Sequence, residues 1–439
     1  MAEILKVLES GLVLRRSSAG DADKLTEFNA RIHSDTDQPD LRVAAWTRDL
    51  LCGRHPTFRP DDFTIVEEEK TGRIVSSMNL ISQTWSFAGI PFKVGRPELV
   101  GTDPEFRRHG LVRLQFEVIH EWSRQRGELV QAITGIPYYY RQFGYEMALD
   151  LGPSRSGFAL HVPRLGKDEE EKYRFRPAVE SDLPFITAVY QHGQQRSLVS
   201  ALWDLDLFRY ELQGKSDQNV NRFALRLIQT RAGEPVGFLA HPDSLWPPIQ
   251  ACVAFELKPG VSWYHVTPAV IRYLWQTGIE NSKKEGKEHS GFGFWLGQNH
   301  PVFQVAGERL PRLRPPYAWY LRLPDLAGFL RLVAPVLEGR LADSPCLGFT
   351  GEITLGFYRS GVRLNFEAGR LAIVEDWMPQ PKKYGNAAFP GLTFLQLLFG
   401  YRSLDELMFS FPDCLPRDDV KPVLRVLFPK QPSNVWEVS

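Results

Sequence analysis

The hydrophobic rhythm of the first 150 residues alternates between the two-residue repeat of strands and the longer repeat of helices. Residues 62–68 and 74–81 read as strands around the turn Lys70-Thr71-Gly72-Arg73, and 92–102 as a further extended segment that stops at Asp103-Pro104. From Leu111 to Arg126 the apolar residues Leu111, Leu114, Val118, Ile119 and Trp122 recur at helical spacing, and Gly127 supplies the stop. Residues 129–133 predict a short buried strand, followed by Gly135-Ile136-Pro137 and three tyrosines, Tyr138, Tyr139 and Tyr140.

Between Gly152 and Lys172 the chain turns to Gly, Pro and Ser and then to the charged run Lys167-Asp168-Glu169-Glu170-Glu171-Lys172, the composition of a solvated connector. Beyond it the first pattern returns faintly. Arg15 and Asp21 are echoed at equal spacing by Arg176 and Asp182, and Gly72-Arg73-Ile74-Val75 by Gly233-Glu234-Pro235-Val236. A helix over 269–281 stands where 111–126 stood. From about residue 321 the pattern changes again: a helix over 325–339, short strands over 354–359, 362–366 and 371–376, then helices over 392–400 and 403–409. The expected division is 1–155, 156–320 and 321–439.

Composition narrows the class without naming a function. The 43% hydrophobic and 24% charged residues are those of an ordinary globular protein. Lys+Arg and Asp+Glu both number 52, so no net field draws nucleic acid or an acidic membrane. Cys52, Cys252, Cys346 and Cys414 lie far apart without metal-ligand spacing, which argues against a zinc site or a disulfide scaffold. No run approaches the length needed to span a bilayer, and the N-terminus lacks a signal-peptide core, so the expectation is a cytoplasmic protein.

One stretch carries chemistry: Val100-Gly101-Thr102-Asp103-Pro104-Glu105-Phe106-Arg107-Arg108-His109-Gly110-Leu111-Val112. A strand ends, a turn follows, and a glycine sits where a helix must begin. The first turn of a helix offers unpaired N–H groups and a partial positive charge, a natural site for a diphosphate. Gly110 lets the backbone come close, and Arg107 and Arg108 add charge-assisted donors. The plainer reading of such a run is a surface loop with two solvated arginines.

The segment resembles the acetyl-CoA-binding motif of the GNAT superfamily, in which a strand precedes [Q/R]-x-x-G-x-[G/A]; Val112 departs from the last position. Tyr139-Tyr140-Arg141-Gln142-Phe143-Gly144-Tyr145 is similar to the F-Y-x-[R/K]-x-G-[F/Y] segment of the same superfamily, with Gln142 departing. The resemblance implies that Arg107, Arg108, His109, Gly110, Leu111 and Val112 cradle the diphosphate of acetyl-CoA. It also implies that backbone groups of Val100 and Thr102 pair with the pantetheine, and that Tyr140 protonates the departing thiolate.

The whole chain resembles the enhanced intracellular survival (Eis) family: tandem GNAT folds, each a central mixed β-sheet flanked by helices, then a sterol-carrier-protein-like α+β domain. Gly348-Phe349-Thr350-Gly351, Gly361-Val362-Arg363-Leu364-Asn365-Phe366 and Phe399-Gly400-Tyr401-Arg402-Ser403 carry the last part. The second copy lacks an Arg-x-x-Gly before its helix, and Phe303, four residues before Gly307, replaces the tyrosine, so a single active site is expected.

The resemblance implies a general base in the chain's own terminal carboxylate, at Ser439; Glu98, on the strand leading into the loop, is the alternative. Trp85, Phe87 and Phe92 could wall an acceptor cleft or belong to the core. The expectation is direct acetyl transfer to an amine of a small molecule or peptide, with no metal and a homo-oligomeric assembly. The competing expectation is a non-catalytic lipid-binding protein using its last domain.

Overall fold

The computed structural model describes residues 3–8, 11–380 and 383–439. The first unit runs β1 (Ile4–Val7), β2 (Leu12–Arg16), α1 (Ala22–Ile32), α2 (Leu41–Leu51), β3 (Phe63–Glu68), β4 (Ile74–Phe87), β5 (Ile90–Thr102), α3 (Leu111–Gln125), β6 (Val130–Ile133) and β7 (Glu146–Leu151). The side chain of Asp40 starts α2 by accepting the N–H groups of Arg42 and Val43. In α3 the buried positions Leu111, Gln115, Phe116, Ile119 and Trp122 form one stripe, which packs Phe116, Ile119 and Trp122 on Met78 and Leu80 of β4. On the opposite side α1 and α2 lay Leu25, Phe28 and Trp46 over Ile81 and Leu99.

The second unit contains β8 (Ser154–Phe158), β9 (Tyr173–Pro177), α4 (Leu183–Gln194), β10 (Val199–Ala201), α5 (Leu205–Arg209), β11 (Phe223–Thr230), β12 (Pro235–Pro242), β13 (Ile249–Cys252), β14 (Ala254–Leu257), α6 (Trp263–Glu285), β15 (Gly291–Phe294), α7 (Val302–Val305), β16 (Arg312–Arg314) and β17 (Tyr317–Arg322). The order β14-β12-β11-β9 repeats β5-β4-β3-β2 of the first sheet, so the molecule holds two GNAT-like sheets. The Arg-Asp echo has a physical basis. Arg15 donates to both oxygens of Asp21 at 3.0 and 2.7 Å, and Arg176 to both oxygens of Asp182 at 2.6 and 2.8 Å, each pair bracing the strand end before a helix.

The second unit lends strands to the first. β17 inserts between β6 and β7 of the first, nine-stranded sheet, while β10 pairs with the far end of β4. β8, from the stretch expected to be a solvated connector, pairs with β15 and β16 inside the second unit. The helix expected over 269–281 extends over Trp263–Glu285 and contains Pro268, so Val266-Thr267-Pro268 lies inside the helix rather than ahead of it. Lys258 to Ser262 form the true approach, and they too carry no arginine.

The third unit comprises α8 (Leu326–Leu332), α9 (Ala334–Ala342), β18 (Gly351–Gly356), β19 (Gly361–Glu367), β20 (Arg370–Trp377), β21 (Ala387–Ala388), α10 (Phe394–Leu398), α11 (Leu404–Ser410), β22 (Leu415–Pro416) and α12 (Lys421–Leu427), with a five-stranded sheet ordered β20-β19-β18-β21-β22. Val333 interrupts the single helix expected over 325–339. Phe329 and Phe399 of this unit pack edge-on against Phe87, and Phe329 also against Phe92. Trp85, Phe87 and Phe92 are therefore core between the first and third units, not the wall of a cleft.

Candidate active site

The site begins where β5 leaves β6. The two strands pair in parallel only at Val94–Val130 and Gly95–Gln131. Beyond that β5 continues to Thr102 held by β4 alone, through a register shift between Asn79–Glu98 and Ser77–Gly101. The extra residue is absorbed at Leu99, whose φ of 50° puts it in the left-handed region. The bulge turns the last residues of β5 away from β6 and leaves their outer backbone edge unpaired. Such an edge accepts an extended ligand as if it were another strand.

The loop after β5 is fixed from below. Asp103, almost fully buried, accepts Arg31 and Arg73 at 2.9 and 2.7 Å and the N–H of Glu105 at 3.2 Å. Burial works against its charge, but these hydrogen bonds hold its carboxyl below the usual carboxylate range. Arg108 at φ 68° and Gly110 at φ 74° then bend the chain into α3. Left-handed residues in such a turn aim successive N–H groups into one concavity. Gly110 occupies the capping position without a side chain to compete for the first-turn amides, and no atom lies within 4 Å of where its Cβ would be.

A groove of about 740 Å³ follows this route, lined by Val100, Thr102, Arg107, Arg108, Gly110 and Tyr140 among others. Leu111, Val112 and Arg113 line it as well, whereas His109 is exposed outside the lining. The sequence passes over His33, at the end of α1, which also borders the groove.

Tyr140 reaches the groove from a loop with two left-handed residues, Tyr138 at φ 60° and Gly144 at φ 87°. The N–H of Tyr138 donates to Tyr320 Oη at 2.6 Å, so the inserted strand β17 pins the loop. The Tyr140 ring packs among Tyr139, Tyr320, Phe116 and Tyr145 at centroid distances of 5.2 to 6.3 Å. Burial, reinforced by the nearby charge of Glu98, pushes its phenol well above the ordinary value, so it stays protonated at neutral pH.

Behind this groove the chain's last residues enter the first unit. Trp436 stacks on Trp203 at 4.2 Å, and Trp203 Nε1 donates to its carbonyl at 2.8 Å. The carbonyl of Val438 accepts Arg96 at 2.8 Å and Gln83 at 3.0 Å. Arg96, 3% exposed, also contacts Glu98 at 2.6 Å and Glu437 at 2.8 Å. Ser439 is 2% exposed, and its hydroxyl accepts Lys215, which is itself paired with Glu211 at 2.5 Å. Glu98, Glu437 and the Val438 carbonyl thus meet at Arg96, while the Ser439 hydroxyl lies against Lys215. Burial and the charge of Glu437 raise the Glu98 pKa, Arg96 opposing them. Arg96 and Lys215 escaped the sequence reading; the one clue was an arginine two residues before Glu98, on the same face of the strand.

In the second unit β13 and β14 repeat the splayed strand, but Phe303 lies buried under the guanidinium of Arg155, its ring centroid 5.1 Å away. A phenyl ring has no proton to give. Among the described residues no helix is long and apolar enough to cross a membrane, and no group of three His, Cys, Asp or Glu side chains is placed to hold a metal ion.

Residues 14–148 match the family model described as "Acetyltransferase (GNAT) domain". Comparison with curated proteins gives no match. Among solved structures, an Enterococcus faecalis V583 protein of unknown function described as a probable N-acyltransferase is 12% identical, with a TM-score of 0.65 over 98% of this chain and 100% of its own. A GCN5-related N-acetyltransferase from Kribbella flavida is 16% identical, with a TM-score of 0.64 over 98% of both chains. Eis1 from Mycobacterium abscessus is 10% identical, with a TM-score of 0.58 over 98% of both chains. These structures share the fold across all three units. With the domain match over its first unit, the chain is an acyltransferase.

Proposed function

We propose that the chain is an Eis-like N-acetyltransferase that moves an acetyl group from acetyl-CoA directly to a primary amine of a small molecule or peptide. The observation behind this reading is the meeting of an open strand edge, a positive-φ loop opening onto α3, and Tyr140 in one groove. The CoA diphosphate lies on the first-turn amides of α3 with Arg107 and Arg108 beside it, and the pantetheine runs along the free edge at Val100 and Thr102. That route brings the thioester to the end of the groove lined by Tyr140.

The neutral amine attacks the thioester carbon, the C–N bond forms and the C–S bond breaks. Tyr140 gives its proton to the leaving sulfur, and a carboxylate takes the proton lost by nitrogen. Of the two candidate bases we favour Glu98, because its charge is felt at Tyr140. Catalysis belongs to 1–155, the second unit at 156–320 is non-catalytic, and the third, at 321–439 and sterol-carrier-like, delivers the tail.

The test is thiol release from acetyl-CoA against aminoglycosides, polyamines and lysine peptides. Tyr140→Phe is expected to retain CoA binding and lose roughly ten- to a thousand-fold in turnover. Unaltered turnover in that variant removes Tyr140 from the reaction.

A further inference from the structure

The charged side chains lining the groove are Arg107, Arg108 and Arg113, and no carboxylate is among them. They do not all stand on one wall. Arg107 Nε donates to the Thr102 carbonyl at 3.4 Å, at the end of β5. Arg113, the third residue of α3, reaches instead toward the loop that carries Tyr140. Its guanidinium donates to Gln142 Oε1 at 3.2 Å and lies 5.2 Å from the centre of the Phe143 ring. Gln142 is held in turn, because its Nε2 donates to the Tyr139 carbonyl at 3.1 Å. Arg113 is exposed and forms no ion pair among the described residues. Ordering a long exposed side chain costs conformational entropy, and one neutral amide and one ring return little of it. A guanidinium held this way with most of its N–H groups free is a preorganised receptor for an anion.

The diphosphate of coenzyme A occupies the first-turn amides and the two loop arginines. Coenzyme A carries one further anion, the phosphomonoester on the 3′-oxygen of its ribose, with about two negative charges at neutral pH. We propose that Arg113 binds this 3′-phosphate and so confines the acyl donor to thioesters of coenzyme A, against acyl groups on a pantetheine arm that lacks it. This rests on the acyltransfer reading with the diphosphate at the start of α3. The planar fork of Arg113 meets two phosphate oxygens at once, which an ammonium group does not. Gln142 is a positioning residue: it aims the guanidinium and acts through it. Gln142 stands where the resembled segment carries a basic residue, so the positive charge of this wall comes from α3 instead.

Calorimetric titration of the full chain with CoA and with 3′-dephospho-CoA reads this contact directly. The wild-type protein is expected to bind CoA about tenfold more tightly than the dephosphorylated form. Arg113→Gln brings the two affinities within about twofold of each other, and does so by weakening CoA alone. Arg113→Lys, which keeps the charge and loses the fork, retains part of the preference. Gln142→Ala lowers the preference by a smaller factor, which a structural role for that amide would not do. Arg107→Ala, run beside them, weakens both ligands and leaves their ratio as it was. Because Arg113 is exposed, the melting temperature of each variant is expected to match the wild type. Equal wild-type affinities for CoA and 3′-dephospho-CoA overturn the proposal, as does an undiminished preference for CoA in Arg113→Gln, or a loss there that strikes both ligands alike. Any of these leaves the acyl-CoA reading standing, whereas a wild-type protein that binds neither ligand sinks that reading itself.

Discussion

The hydroxyl of Tyr320 accepts the backbone N–H of Tyr138 at 2.6 Å, across 182 residues of sequence. That contact fixes the left-handed turn from which Tyr140 is aimed, and it comes from a strand that the first unit does not encode contiguously. Tyr320→Phe keeps the ring and its packing on Tyr140 but removes the acceptor. The expected result is a turnover loss of about tenfold with KM for acetyl-CoA little changed, and a stability loss near 1 kcal/mol. Steady-state kinetics and a denaturant melt check both.

Arg107 and Arg108 are exposed at the mouth of the groove, and neither forms an ion pair among the described residues. Removing either costs little stability and acts on the co-substrate. Arg107→Ala and Arg108→Ala are each expected to raise KM for acetyl-CoA about tenfold while turnover holds, the size of one lost charge-assisted contact. The affinity of wild-type protein for CoA is expected to fall with added salt, with a shallower slope in both variants when followed by calorimetric titration.

Arg96 neutralises Glu98 and Glu437 together while holding the Val438 carbonyl. Arg96→Met leaves the mostly enclosed Glu98 and the partly exposed Glu437 without their shared cation, which is expected to cost about 1–3 kcal/mol and to release the tail. A melt would read the first effect, and limited proteolysis after residue 430 the second.

Glu256 of β14 is buried beside Arg196 and near His300, and burial outweighs the arginine to bring its carboxyl up to about 7. The folded state therefore holds this proton at pH values where the unfolded chain has released it. By linkage its contribution to stability is greatest below the ordinary value of 4.5 and declines as pH rises toward 7. Glu256→Gln should flatten the dependence of melting temperature on pH across that window. An identical pH slope in the variant contradicts the assignment.

What the sequence disclosed follows from range. The loop from Val100 to Val112 and the segment around Tyr140 are short runs whose chemistry is written in neighbouring letters, and the structure sets Arg107, Gly110 and Tyr140 along one groove. The strands at 63–68 and 90–102 and the helix at 111–125 fall within a few residues of the expected bounds, because their periodicity is local. The bulge at Leu99 left no mark, since it arises from pairing with β4 and not from any residue that demands it. Ser154–Phe158 hid as a strand because Ser and Gly fill it, with Ser154 and Ser156 buried where apolar residues would have signalled it. The contacts of Tyr320 and Arg96 were invisible for a different reason: each joins positions hundreds of residues apart, and a single sequence records no such proximity.

Because β17 fills the gap between β6 and β7, the front sheet cannot be lifted out as a module. A fragment cut at residue 155 leaves β6 and β7 facing an empty slot, with their backbone groups bare to any stray strand. Recombination that moves this sheet into another protein has to carry residues 1–322 as one piece.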